Sequence, residues 1–530
     1  MSDRPHADST ALHPYPVLPV GITVAVWAVI LAVALGSLHF FYTHGLTQLY
    51  GDTFAHMEGA RRIFDSLTPG YRELGSVWLP MFHLFAAPLA INDKLWRTGL
   101  AGSLIVTLAF SLSAWFLFRL ALEMSGRISG AFVTLAAFLL CPSMFYLASA
   151  PMTEPLAILW SVLVVYGLFH FQMTGRTRCL VGAAVAAFFG TLTRYSGWYV
   201  LPFAALFVLL AQKDSWRVRL RRATLFSMIA GLGPILWMLH DAISYGNPLA
   251  FYNGPDSPQA QYAYQVATTA FRYPTDGSLL ISAHYYVQDL KLILGPWTLI
   301  LAVLGLLMWV LERRYRRRRA ATLLLLVMLP FYIQAMAGDA VPIYVPTYFP
   351  HSYYNLRYGI ELLPGIALLA SFVISPTLSR NFRAGMLIAC LSVVGAQNAW
   401  MLAKGARKLP VVQEGILNTP CNTKDNQALV AFLRRRYDGQ RILMQSGEWP
   451  CVAPTLGIHY RKILNGDNVK YWRQIPDGAQ KLVEWIVCRE GDPVDILMRA
   501  YPAAFKDFKP VYHRTFPQQK SFTIYRRGGE

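Results

Sequence analysis

Apolar runs long enough to cross a bilayer recur through the first 403 residues, divided by short basic loops. A helix needs about 20 apolar residues to span the hydrocarbon core. In lipid every backbone N–H and C=O must be satisfied internally, which leaves only helices and closed barrels. Runs this long read as helices. They lie near 21–42, 100–124, 129–147, 155–171, 179–192, 198–212, 223–240, 290–311, 321–337, 358–375 and 384–403, which makes about eleven spans. Residues 78–90 are apolar but short and interrupted by proline, so they read as an interfacial or re-entrant piece.

Basic residues then orient the chain. With a cytoplasmic N-terminus, the loops at 119–127, 176–178, 213–222, 313–319 and 380–383 face the cytoplasm. Each is short and rich in Arg or Lys, as the positive-inside rule requires. The intervening loops are longer or poorer in base, and they fall outside. Only 15% of residues are charged, against about a quarter in a soluble domain. The net charge of +19 is therefore a topology signal, and nucleic acid is not an expected partner.

Three parts follow. Residues 1–20 form a cytoplasmic tail without the apolar core or cleavage site of a signal peptide. Residues 21–403 are the membrane part, with a long first external loop at 43–98. From 404 to 530 the composition changes, and strand-like runs at 441–444, 460–464, 483–488 and 522–525 alternate with helical ones at 426–437 and 492–500. That alternation predicts a small extracytoplasmic α/β domain. The whole reads as a polytopic α-helical protein of the inner, or plasma, membrane.

Cys141, Cys179 and Cys390 lie in or beside apolar runs, while Cys421, Cys451 and Cys488 lie in the polar tail. An external tail permits disulfides. The expected pair is Cys421 with Cys451; Cys488 ends an apolar run and is expected buried and free. No Cys or His spacing marks a metal site. The sequence requires no cofactor, and a divalent metal stays open.

The external loops collect the reactive groups. Asp52, in YGDTFAHMEGARRI, is the first acid after the first span. It fits either an N-cap or a base at the membrane surface. His56, one turn on, fits a partner or ligand, and Glu58 lies close by. Glu154, in MTEPL, sits at the mouth of a span, where an acid either complements the helix dipole or serves a site. Arg194, in TRYSGW, lies between two short runs. Arg357 opens a span, against the dipole, with Glu361 one turn later as its simplest partner. The aromatic loop around His351, Tyr353 and Tyr354 fits either a sugar platform or an interfacial belt.

These motifs, in this order and on one side of the membrane, resemble the GT-C superfamily of integral-membrane glycosyltransferases. The branch with protein O-mannosyltransferases and aminoarabinose transferases is the most similar. The carrying pieces are Asp52 with the following VWLPMFHL, Glu154 in MTEPL, Arg194 in TRYSGWYVLP, and Arg357 in NLRYGIELLPG. The resemblance implies a polyprenyl-phosphate-linked sugar donor and transfer with inversion to a glycan, lipid or protein acceptor. It implies a first-loop acid, here Asp52, as catalytic base or acceptor-orienting group, with Glu154 the second catalytic candidate, and basic residues, here Arg194 and Arg357, on the donor phosphate. His56, Glu58, His351, Tyr353 and Tyr354 are further candidates for substrate contact. The sequence departs from the mannosyltransferases in having Thr53 after Asp52 where they carry an Asp-Glu pair, and it lacks the WWDYG motif of oligosaccharyltransferases. Two other classes compete. A transporter or flippase would show matching discontinuous helices in two halves. A non-catalytic scaffold would leave Asp52 dispensable.

Overall fold

The computed structural model describes residues 18–338, 341–375, 377–516 and 520–528; residues 1–17 of the N-terminal tail lie outside it. Among the described residues, six helices are long and apolar enough to cross a membrane: Val20–Thr43, Leu100–Ser125, Glu154–Thr174, Trp216–Tyr245, Arg313–Gly338 and Arg380–Ala403. A bent pair, Leu279–Leu294 with Pro296–Leu311, makes a seventh candidate, and Ile128–Leu139, Thr177–Thr191 and Ser196–Ala211 are shorter apolar helices. The protein is a helical membrane bundle carrying a small sheet domain at its C-terminus.

Two expected spans are interrupted, and both breaks have a local cause. The run at 290–311 contains Gly295-Pro296. Gly295 takes φ +81°, and proline brings no N–H to continue a helix. The two helices meet there at 110°. Gln397 satisfies the freed backbone: its amide oxygen accepts from Trp297 N at 2.7 Å and Thr298 N at 3.3 Å, and its nitrogen donates to Leu294 O at 3.1 Å. A β-carbon on residue 295 would sit 2.2 Å from that amide, so the break needs glycine. The run at 129–147 stops at Leu139 and restarts at Pro142, where Cys141 is extended and proline opens the next helix. The run at 358–375 begins as a 3-10 helix, Leu356–Leu362, before Leu363–Ser371. It lies in the core, with Leu363, Ala367 and Leu368 fully buried. Other helices shield it, so it needs no bilayer-length run of its own.

The long first loop holds the helices Gly51–Arg62 and Met81–Ala90. Met81–Ala90 buries Phe82, His83 and Ala86. It packs on Gly51–Arg62 and Leu100–Ser125, not across the bundle, in keeping with its short length.

The C-terminal sheet contains β1 (Ile442–Leu443), β2 (Ile463–Leu464), β3 (Trp485–Arg489), β4 (Phe508–Arg514) and β5 (Phe522–Arg527), in the order β2-β1-β3-β5-β4. β1 pairs in parallel with β2 and β3; β5 pairs antiparallel with β3 and β4. The sequence reading missed β4. That strand is an edge whose FKPVYHR has only its first residue buried, and a register shift follows Pro510. Edges tolerate proline and charge, and this erases the alternation that marks a strand. Cys421 and Cys451 form a disulfide, and Cys488 is buried and unoxidised.

Charged side chains fasten the first loop to this domain. Buried Arg61 bonds Asp65 at 2.8 Å, Asp93 at 2.7 Å and His459 at 2.9 Å. Arg62 bonds Glu73 and, at 2.7 Å, Asp467. Glu58 belongs to this seam. It accepts from Ser446 at 2.5 Å and from Arg62 at 3.3 Å.

Candidate active site

Four chain segments bring their charged ends together where the bundle meets the first loop. Asp52 lies in the first turn of Gly51–Arg62. Glu154 opens Glu154–Thr174, Arg194 lies in the turn before Ser196–Ala211, and Arg357 lies on the 3-10 turn Leu356–Leu362. Arg357 is shared by Asp52, by Glu154 at 3.1 Å and by Glu414 at 3.5 Å. Arg194 bonds the same Glu154 oxygen at 3.0 Å, Glu361 at 2.6 Å and Thr153 Oγ1 at 2.7 Å. The Tyr358 ring serves both guanidiniums, 5.0 Å from that of Arg194 and 4.9 Å from that of Arg357. Tyr332 donates to Glu361 at 2.7 Å. Each buried charge is thus paired, as burial demands.

The four acids differ in access. The side chain of Asp52 is 37% exposed, against 0% for Glu154, 4% for Glu361 and 1% for Glu414. Two cavities, of about 200 and 550 Å³, share a wall made by Asp52, Trp78, Arg357 and Tyr358. The smaller reaches into the bundle along Glu154, Arg194 and Tyr332; the larger opens past Tyr354, Asp256 and Glu414. Among the described residues no group of three or more His, Cys, Asp and Glu is placed to hold a metal.

The structure moves several of the expected contacts. Asp52 does not cap its helix: Tyr50 occupies the N-cap position and the Asp52 carboxylate goes to Arg357. His56 faces His83, not Asp52. Glu361 serves Arg194 instead of Arg357. His56 lines the smaller cavity and Tyr354 the larger. His351 lies on the surface against Pro346 O, and the Tyr353 side chain packs against the hydrophobic core, so neither lines these cavities.

Glu414 escaped the sequence reading. It accepts from the backbone N–H of Asn355 at 2.6 Å and of Leu356 at 2.9 Å, which fixes the turn that carries Arg357. Its signal was present: a lone acid in PVVQEGIL, an otherwise apolar stretch after the last span. Burial pushes its carboxyl up to about 7 from 4.5, against the opposing pull of Arg357. Ionisation in the fold is then disfavoured, so this group's contribution to stability is lost as pH rises from 4.5 toward 7. Glu414→Gln should remove that share of the slope. Thermal unfolding of both proteins across the interval measures it, and parallel curves would contradict it.

No family model matches the chain, and no curated protein matches it in sequence. Its fold does match solved structures. ArnT from Cupriavidus metallidurans bound to undecaprenyl phosphate is similar with a TM-score of 0.54 at 14% identity, over 96% of this chain and 98% of that one. The apo state of that protein is similar with a TM-score of 0.53 at 16% identity, over 95% and 98%. The likeness runs through both the bundle and the C-terminal domain. The chain is an integral-membrane protein with the fold of these structures, and the motifs around Asp52, Glu154, Arg194 and Arg357 that resemble the GT-C superfamily meet within it.

Proposed function

We propose that the protein moves a sugar from a polyprenyl-phosphate carrier to an acceptor on the extracytoplasmic side, by inverting single displacement. One observation carries the reading: the accessible acid of the cluster, Asp52, is held by Arg357 at the junction of two cavities. An acceptor and a donor can meet there from opposite sides. The acceptor oxygen attacks the anomeric carbon, the bond to the phosphate oxygen breaks, and its electron pair leaves with the phosphate. Asp52 takes the acceptor's proton. Arg194 and Arg357 receive the leaving charge, which in this proposal a metal need not supply. Glu154, bonded to both guanidiniums, holds them side by side. An arriving phosphate competes with Asp52 for Arg357, and this frees the carboxylate as the donor binds.

The similar solved structure holds undecaprenyl phosphate, and a carrier of that class suits the paired arginines here. Basic loops and the Cys421–Cys451 disulfide support a cytoplasmic N-terminus and an external C-terminal domain. Thiol labelling of denatured, unreduced protein from cells should find Cys421 and Cys451 protected. Finding both free would remove that support. The transporter reading needs an unwound helix lining an ion path. The break at Gly295 is instead closed by Gln397. Mass spectrometry of envelope lipids and glycans, with and without the protein, tests the function. A species lighter by one sugar in its absence is expected, and identical spectra would refute the proposal.

A further inference from the structure

A histidine on the wall of the smaller cavity is paired with a second, buried one, and the reaction above leaves both unused. His56, on Gly51–Arg62, lines the cavity and is 6% exposed. Its Nδ1 lies 3.0 Å from Nε2 of His83 on Met81–Ala90. His83 is 1% exposed, and its own Nδ1 is buried without a partner among the described residues. Gly59 makes room for the contact, since a β-carbon there would lie 3.2 Å from the His83 ring. The Trp78 ring covers His56, 4.4 Å between centroids, and lines both cavities. No protein group among those described bonds His56 Nε2, the nitrogen left for the cavity.

One proton sits between the two rings, and its position decides what His56 offers. Burial lowers the pKa of both rings, that of His83 to about 4, so the pair is neutral near pH 7. If His56 donated, the His83 proton would have to sit on Nδ1, as a buried N–H with no acceptor. Such orphan donors are rarer than unpartnered acceptors. If His83 donates, only a lone pair is left unpartnered. Arg194 and Arg357 favour a lone pair on His56 Nε2, but four carboxylates offset their charges.

We propose that His83 is a positioning residue whose Nε2–H donates to His56 Nδ1, so that His56 presents Nε2–H to the cavity and donates it to a hydroxyl of the carrier-borne sugar. Two features point to the sugar over the phosphate. The arginines already serve as the anion site, and Trp78 beside His56 supplies an apolar ring face of the kind a sugar stacks on. His56 stands one turn from Asp52 on the same helix face, about 6 Å away, so a ring gripped there keeps its reacting carbon near the acid. Only the identity of the ligand rests on the glycosyltransferase reading.

The test uses full-length protein with 15N-labelled histidine, its two resonances assigned from His56→Gln and His83→Gln. Nitrogen shifts should show protons on Nε2 of both rings. A proton on His56 Nδ1, or an imidazolium, would overturn the proposal. Binding is then measured to undecaprenyl phosphate and to a panel of undecaprenyl-phosphate-linked hexoses and aminopentoses. His83→Gln restores a donor near the Nε2 position and should bind like wild type. His83→Leu should bind the sugar-bearing carrier about tenfold more weakly, the loss of one buried hydrogen bond, and bare undecaprenyl phosphate unchanged. Equal loss for both ligands, or none for either, would overturn it. If wild type binds no sugar-bearing carrier, the transferase reading falls, and the proton positions in the same sample still decide the histidine pair.

Discussion

Asp52→Asn should give a folded protein that binds donor lipid and transfers its sugar about 10²–10⁴-fold more slowly. Asn has the size of Asp and still accepts hydrogen bonds, but it takes no proton. The fold should tolerate the change, because Asp52 does not cap its helix and Arg357 keeps Glu154 and Glu414. Steady-state transfer and donor binding, measured on one preparation, separate chemistry from assembly. Glu154→Gln is the control. That acid is fully buried and ties both arginines together, so its loss should disturb donor binding as well as turnover. Turnover abolished in Glu154→Gln but retained in Asp52→Asn would move the base to Glu154.

Arg357→Ala carries the second large effect. The guanidinium is the shared partner of Asp52, Glu154 and Glu414, and its side chain is 7% exposed. Removing it leaves buried Glu414 without its cation and Glu154 with Arg194 alone, and breaking a buried ion pair from one side destabilises by about 3–5 kcal/mol. Donor affinity should fall with it. Arg357→Lys keeps the charge but loses the planar fork that meets two oxygens at once, so it should rank between Ala and wild type in both readouts. Thermal unfolding and undecaprenyl phosphate binding of the three proteins test this. If both variants bind the carrier like wild type, Arg357 is a strut of the fold alone.

Much of the architecture was legible because lipid enforces simple rules. Apolar length marked the helices, and the alternation of loops put Asp52, Glu154, Arg194 and Arg357 at one end of the bundle, where the structure brings them together. Other features depend on tertiary contacts that sequence spacing does not encode. Gly295-Pro296 lies inside a run that reads as one span, and the break there is held by Gln397, a hundred residues away. Glu361 lies one turn from Arg357 in sequence but bonds Arg194, because the 3-10 turn rotates the two side chains apart. Glu58 looked like a site residue from its nearness to Asp52. The helix instead points it at Ser446, in a domain whose docking the sequence does not reveal.

In the proposed reaction a sugar–phosphate bond is broken beside Asp52 and Arg357. The most direct measurement follows both fragments. Purified protein in nanodiscs is given undecaprenyl phosphate carrying a radiolabelled sugar, together with an envelope extract as acceptor. One free undecaprenyl phosphate is expected for each labelled sugar found on the acceptor, with wild type and not with Asp52→Asn. Label that stays on its carrier in the presence of wild-type protein and acceptor would contradict it.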